Sequence, residues 1–537
     1  MAIAVATACL CLSAALASAG RSADNGEPLV LHATFASFPD HLDPQLSYTQ
    51  EGWTAMYDTY IPLLTYRHAA GKAGSEVIPG LAKNLPRITD GGRTYTLFLR
   101  HGLRYSNGAP VRASDFEFAV ERMFRLNSGG FPFYTSIVGA LRFWNTKRDG
   151  ISGIVTDNRT GKIVIHLTVP RGTFTQELAL MFVAPVPPST PLQEASLHPP
   201  PATGPYAITE SQPGIGWTYE RNPAWRTNGK LMPQLPGGHV DEIEVDQVRN
   251  PEKQVRGIEQ GSFDWMENPP SALRYAELAR KYGGSQFRAN PTLSTYYFWM
   301  NTRKAPFDDL RVRRAVNYAV DARVLQKIYA GQLAPAHQIL PSQMPGHRRF
   351  NLYPRNLVKA RRMVRQADPN DREITVWTDT EAPNDEAGIY YAKVLRQLGF
   401  HVRLKTVGAG SYFTVIGNTG TPNLDTGWSN WFADYAHPND WFQPLLAGTS
   451  ILRRNNTNFA QIDAPSLSSE IATLRRSRLG PSQERRYAAL DRSYMKLAPW
   501  VPYGTRTLPT FVSKRVDLDR VVFNPSFGPD LTSFRFK

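Results

Sequence analysis

The sequence predicts an α/β protein built from more than one structural unit, and three observations carry that expectation. Residues 372–407 run strand, helix, strand; residues 94–169 read as strands around a capped helix; and a proline-rich stretch without periodicity, 185–205, separates the two. At 537 residues the chain exceeds what one hydrophobic core usually serves. No repeat of fixed period suggests a solenoid or propeller.

The first residues, MAIAVATACLCLSAALASAG, form an uncharged alanine-rich run closed by Ala17-Ser18-Ala19, the small-x-small pattern that a signal peptidase needs. Residues 1–26 are therefore expected to be an export signal and a disordered start, placing the mature protein outside the cytoplasm. No Lys or Arg precedes the apolar run, so a retained membrane anchor is the alternative. Cys9 and Cys11 are the chain's two cysteines and both lie in this segment. Disulfides, thiolate metal sites and cysteine nucleophiles are thereby excluded from an exported chain.

Further along, TYTLFL (94–99) alternates polar and apolar residues, and KIVIHLTV (162–169) places Ile163, Ile165, Leu167 and Val169 on one face, so both read as half-buried strands. Between them SNGAP (106–110) reads as a turn. Ser114 and Glu117 are expected to form the capping box of a helix that buries Phe116, Val120, Met123 and Phe124. In the second half, Asp308 is expected to cap a helix carrying Val312, Ala315, Val316 and Ala319, and Asp321 another ending at Gly331. REITVWTD (372–379), a helix through Leu395 and Leu398 stopped by Gly399, and HVRLKTV (401–407) complete the strand-helix-strand unit.

The net charge is +15, but Lys and Arg are spread along the chain without a basic block, a zinc-finger spacing or a basic region leading into heptads, which argues against a nucleic-acid partner. Catalytic motifs are nearly absent: there is no G-x-S-x-G elbow, P-loop or H-E-x-x-H. Ser493-Tyr494-Met495-Lys496 matches S-x-x-K, but the companion S-D-N and K-T-G elements are missing. A serine acyl-transfer activity on Ser493 and Lys496 is accordingly a distant alternative, and no cofactor or metal is implied. The histidines are scattered singly, without metal-ligand spacing.

TYTLFLRHGLRYSNGAPVRASDFEFAVERM (94–123) resembles the strand, turn and capped helix of the extracytoplasmic solute-binding proteins of the oligopeptide and dipeptide ABC-transporter class, family 5. The resemblance continues in order through LDP (42–44), PGLAKNL (79–85), ATGPY (202–206), NPAW (222–225), VRGIEQGSFDW (255–265), NTRKAPFDDLRVRRAVNYAVD (301–321) and WFADY (431–435), covering nearly the whole mature chain. It implies the periplasmic-binding-protein-like fold (type II, cluster C): two α/β lobes joined by hinge strands, with an extra α+β lobe inserted in the first. The implied boundaries are 27–54, 186–287 and 503–537 for lobe I, 55–185 for the inserted lobe and 288–502 for lobe II. A monomer that traps a peptide-like solute and delivers it to an ABC permease is the function implied. A membrane-tethered sensor domain, or the same fold binding a sugar, opine or metal chelate, are the alternatives.

The resemblance also gives meaning to TGWSNWFADYAHPNDWFQPLL (426–446), a stretch dense in aromatic rings around a carboxylate. Asp434 matches the aspartate that receives a peptide's N-terminal ammonium in peptide-binding members. Trp431, Trp428 and Tyr435 are expected to wall the cleft with rings, giving apolar contact tolerant of many ligand shapes. His437, where many relatives have another residue type, is expected to stand near Asp434 and influence ligand choice.

Overall fold

The computed structural model describes residues 27–537. The export segment expected over 1–26, with both cysteines, lies outside the described residues. Among those described, no helix is long and apolar enough to cross a membrane.

Strand Val30–Phe35 buries Leu31, Ala33 and Phe35 and lies parallel to both Glu242–Gln247 and Trp265–Met266. Antiparallel strands Gly216–Arg221 and Tyr206–Gln212 extend this sheet outward. In the second half Glu373–Asp379 pairs in parallel with His401–Val407 and with Thr426–Phe432, and the latter pairs antiparallel with Ser294–Met300. Ser294–Met300 is buried at every position, as a strand covered on both faces must be.

The two halves share one sheet of 12 strands, because a single long strand serves both. Trp500–Val512 pairs with Ser294–Met300 through its first residues and with Phe287–Pro291 through its last. The chain thus passes between the halves at residues 291–294 and again along Trp500–Val512. Paired crossings of this kind can act as a hinge, since a few residues absorb the rotation while each half moves as a body.

A third unit carries its own antiparallel sheet, ordered Arg87–Thr89, Thr94–Phe98, Lys162–His166, Ile154–Asp157. Helix Ala113–Arg125 packs on it and buries the expected Phe116, Val120, Met123 and Phe124. Its cap differs from expectation. Asp115, not Glu117, reaches back to accept the Arg112 N–H at 2.9 Å, and also accepts the Tyr105 hydroxyl at 2.9 Å. Ser114 and Glu117 instead accept from Asn158 and Thr156, tying the helix to the neighbouring hairpin. The strand at 162 ends at His166, so Val169 falls beyond it and is exposed. Asp309 rather than Asp308 caps Leu310–Ala319, while Asp321 caps Ala322–Ile328 as expected.

The connector 185–205 contains no helix or strand, and a buried ion pair helps to hold it. Arg122, fully buried, places two donors on Asp43 at 2.7 and 2.6 Å, and others on Gln45 Oε1, the Pro191 carbonyl and the Gln193 carbonyl, each at 2.8 Å. All five guanidinium donors are used. A second buried latch joins the start of the inserted unit to the C-terminal segment. His68, stacked on Tyr57, lies 2.8 Å from Asp530 and 3.5 Å from Asp58. Burial and the neighbouring Asp530 charge push the Asp58 carboxyl well above the usual range.

Candidate functional site

Strand Thr426–Phe432 ends where its parallel and antiparallel neighbours no longer cover it, and the chain turns through 433–438 into the short helix Asn439–Leu446. The turn is pinned from both halves of the molecule. The Ala433 N–H bonds to the Leu293 carbonyl where the chain crosses between the halves, and the Ala436 N–H donates to the Tyr66 hydroxyl at 3.1 Å. Asp440 organises its interior: one carboxylate oxygen accepts both the Trp431 indole N–H at 3.1 Å and the Asp434 backbone N–H at 2.9 Å.

This arrangement turns Asp434 toward the first half, where the Tyr48 hydroxyl donates to Oδ1 at 2.9 Å. Tyr48 in turn packs among Trp53, Phe133 and Phe182, and Phe133 meets the edge of Tyr435 at 6.0 Å between ring centroids. Burial raises the Asp434 carboxyl to about 6, while the Tyr48 hydrogen bond works to lower it. Burial and the Asp434 charge together push Asp440 well above the usual carboxylate range. Asp434 is the more accessible carboxylate of the pair, partly exposed and bonded through its side chain to a neutral hydroxyl, whereas Asp440 is buried.

A pocket of ≈ 210 Å³ opens beside it on the seam between the inserted unit and the second half, lined by Phe133, Arg171, Trp431, Asp434, Tyr435 and Arg475 among others. Gly172 makes the close approach across this seam. Its N–H bonds to the Arg475 carbonyl at 2.7 Å, and a Cβ there would lie 1.9 Å from the Ser477 carbonyl oxygen. A larger groove of ≈ 1080 Å³ lies on the second half and reaches the long shared strand at Val501, Pro502 and Thr505. Its Arg323 and Arg349 are exposed and its Arg355 is paired with Asp321 at 3.1 Å, so solvent and a counter-charge weaken its pull on a ligand. The smaller pocket holds Asp434, whose carboxylate forms no ion pair among the described residues.

Of the residues expected here, the structure brings Asp434, Trp431 and Tyr435 together at the pocket. It does not bring Trp428 or His437. Trp428 points into the core, 2% exposed and stacked on Tyr412 at 5.3 Å, because strand alternation sends it to the helix-covered face. His437 is fully buried, and its Nδ1 accepts the Asn439 N–H at 3.0 Å. Burial drives its imidazole down to about 3, so it is neutral and serves the turn rather than a ligand. Tyr48, Phe133, Arg171 and Arg475 were not foreseen, since they come from segments distant in sequence and carry no local motif; the role of Asp440, six residues beyond Asp434 in the same segment, was not foreseen either. Ser493 donates to the Ala489 carbonyl at 2.9 Å, an i−4 back-bond of an ordinary helix rather than a bond to a base.

Changing Tyr48 to Phe removes the one side-chain hydrogen bond that holds the Asp434 carboxyl down. The midpoint of any Asp434-dependent binding, followed against pH, should then move upward; an unmoved midpoint would show that the hydroxyl does not act on this carboxylate.

Comparison with known proteins agrees with this architecture. The chain is 23% identical over 441 residues to the glutathione-binding protein GsiB of Salmonella choleraesuis, spanning 80% of this chain and 81% of that one. Among solved structures it superposes on clavulanic acid biosynthesis oligopeptide binding protein 2 with a TM-score of 0.81 at 24% identity, covering 94% and 95% of the two chains. The unliganded open form of the periplasmic murein tripeptide binding protein MppA gives 0.79 at 20% identity, covering 95% and 98%. Residues 76–452 match the family model of bacterial extracellular solute-binding proteins, family 5, middle region, and with most of its length so matched the chain belongs to that family.

Proposed function

We propose that this protein is a non-catalytic receptor that closes its two lobes on a peptide-like ligand outside the cytoplasm and delivers it to an ABC permease, with Asp434 accepting the ligand's ammonium. The lobes in this reading are 27–54 with 186–287 and 503–537, the insert 55–185, and 288–502. The observation that carries the proposal is a carboxylate without an ion-pair partner among the described residues, held on one lobe by Asp440 and faced by Tyr48 of the other lobe and Phe133 of the insert. A carboxylate about 4 Å from an ammonium gains about 4 kcal/mol of gross attraction at an effective dielectric near 20, before desolvation is subtracted. Such a contact orients a ligand without reading its side chains. The names of the relatives, a glutathione-binding and a murein tripeptide-binding protein, support a peptide-like class.

A ligand that binds the closed form stabilises the fold by mass action. Pools of di- to pentapeptides should raise the melting temperature by an amount that grows with ligand concentration. Because the ammonium needs an ionised partner, the effect should fade as pH drops through about 6, where Asp434 takes up its proton. No shift with any peptide pool, beside a clear one with an oligosaccharide, overturns the assignment.

A further inference from the structure

The pocket beside Asp434 contains a second, opposite charge that the ammonium contact leaves unused. Arg475 follows helix Pro465–Leu474, at the turn where the second half meets Gly172 of the insert. Among the described residues its guanidinium makes no hydrogen bond and no ion pair, whereas Arg171, the other cation of the lining, is committed to the buried Glu177 at 2.8 Å. Arg475 is near enough to lower the Glu177 carboxyl, but burial outweighs the lowering influences and leaves that carboxyl raised. The charges of Asp434 and Arg475 line one pocket of ≈ 210 Å³ without forming a salt bridge, so they stand more than a direct contact apart. That volume admits a single residue of a ligand, not a peptide.

We infer that this pocket takes an α-amino-acid head group, its ammonium on Asp434 and its carboxylate on Arg475, and that the receptor therefore favours γ-linked peptides. This rests on the receptor reading above. In an ordinary peptide the carboxyl group on the carbon that bears the ammonium is already an amide, so the first residue offers Arg475 only a carbonyl oxygen. A γ-glutamyl residue keeps both charges on one carbon and carries the rest of the chain on its side chain, out toward the cleft. The guanidinium fork suits a carboxylate through two parallel N–H donors.

Titration calorimetry with two probes isolates the carboxylate: γ-glutamyl-alanine, and 4-aminobutyryl-alanine, which is the same molecule without the α-carboxylate. The parent protein should bind the first roughly 10- to 100-fold more tightly, the range for a hydrogen-bonded charge pair. Arg475→Gln should abolish that preference while the free protein stays folded, because the guanidinium makes no hydrogen bond or ion pair among the described residues and Glu177 keeps its direct partner Arg171. Equal affinities in the parent, or a preference that survives Arg475→Gln, overturn the inference. Tri-alanine serves as the control: if it binds and loses affinity on Asp434→Asn while the γ-linked preference fails, the receptor reading stands and the head-group inference alone falls. If neither probe nor tri-alanine binds, both fall.

Discussion

Arg122→Met is expected to remove about 3–5 kcal/mol of stability, the loss typical of breaking a buried ion pair from one side. Both partners are wholly inaccessible, and the substitution leaves Asp43 with a charge, no cation and no water. It also strips the donors from the Pro191 and Gln193 carbonyls and from Gln45, so part of the connector loses its attachment to the insert. Urea denaturation should show a lower midpoint. Adding Asp43→Asn to the same variant should restore part of the loss, since a buried neutral amide costs less than a buried carboxylate left with only the Gln45 N–H as a partner. Parent-like stability in the single variant, or no recovery in the double, would show that the pair does not hold the connector.

That ion pair also shows what the sequence leaves unread. The LDP at 42–44 is visible as a motif, but nothing in it says that its aspartate serves a helix 79 residues away. The same holds for His68: its spacing excludes a local metal motif, yet the fold brings it to Asp530 across 462 residues. Elements fixed by near neighbours were legible. The strands at 94, 162, 373 and 401 and the buried stripe of the 113–125 helix follow from periodicities that act within a few residues. Caps were misplaced by a position or two because several candidate side chains stood side by side at 114–117 and 308–309, and the neighbouring hairpin or loop decided which of them was free to turn back. At the site, Asp434, Trp431 and Tyr435 were legible through one contiguous segment. Trp428 and His437 belong to that same segment, and no pattern within it says which rings face the core. Tyr48 and Arg475 come from opposite ends of the chain, and only closure of the fold puts them beside Asp434.

Asp434→Asn should weaken binding of a peptide with a free N-terminus by about 2 kcal/mol, roughly 30-fold, because the shape of the side chain is kept and its charge removed. The fold should not suffer. With a carboxyl raised to about 6 in the native state and near 3.9 when unfolded, the native protein binds this proton more tightly, so ionisation costs stability as pH rises from about 4 to 6. The asparagine variant lacks that cost and should be at least as stable as the parent at pH 7. An N-acetylated form of the same peptide should already bind the parent poorly and should lose little more on the variant, because each change removes one partner of the same pair. Four titrations, two proteins against two ligands, measure the coupling directly. If the two losses simply add, the carboxylate and the ligand amine do not meet, and the anchoring role proposed for Asp434 fails even if the peptides bind.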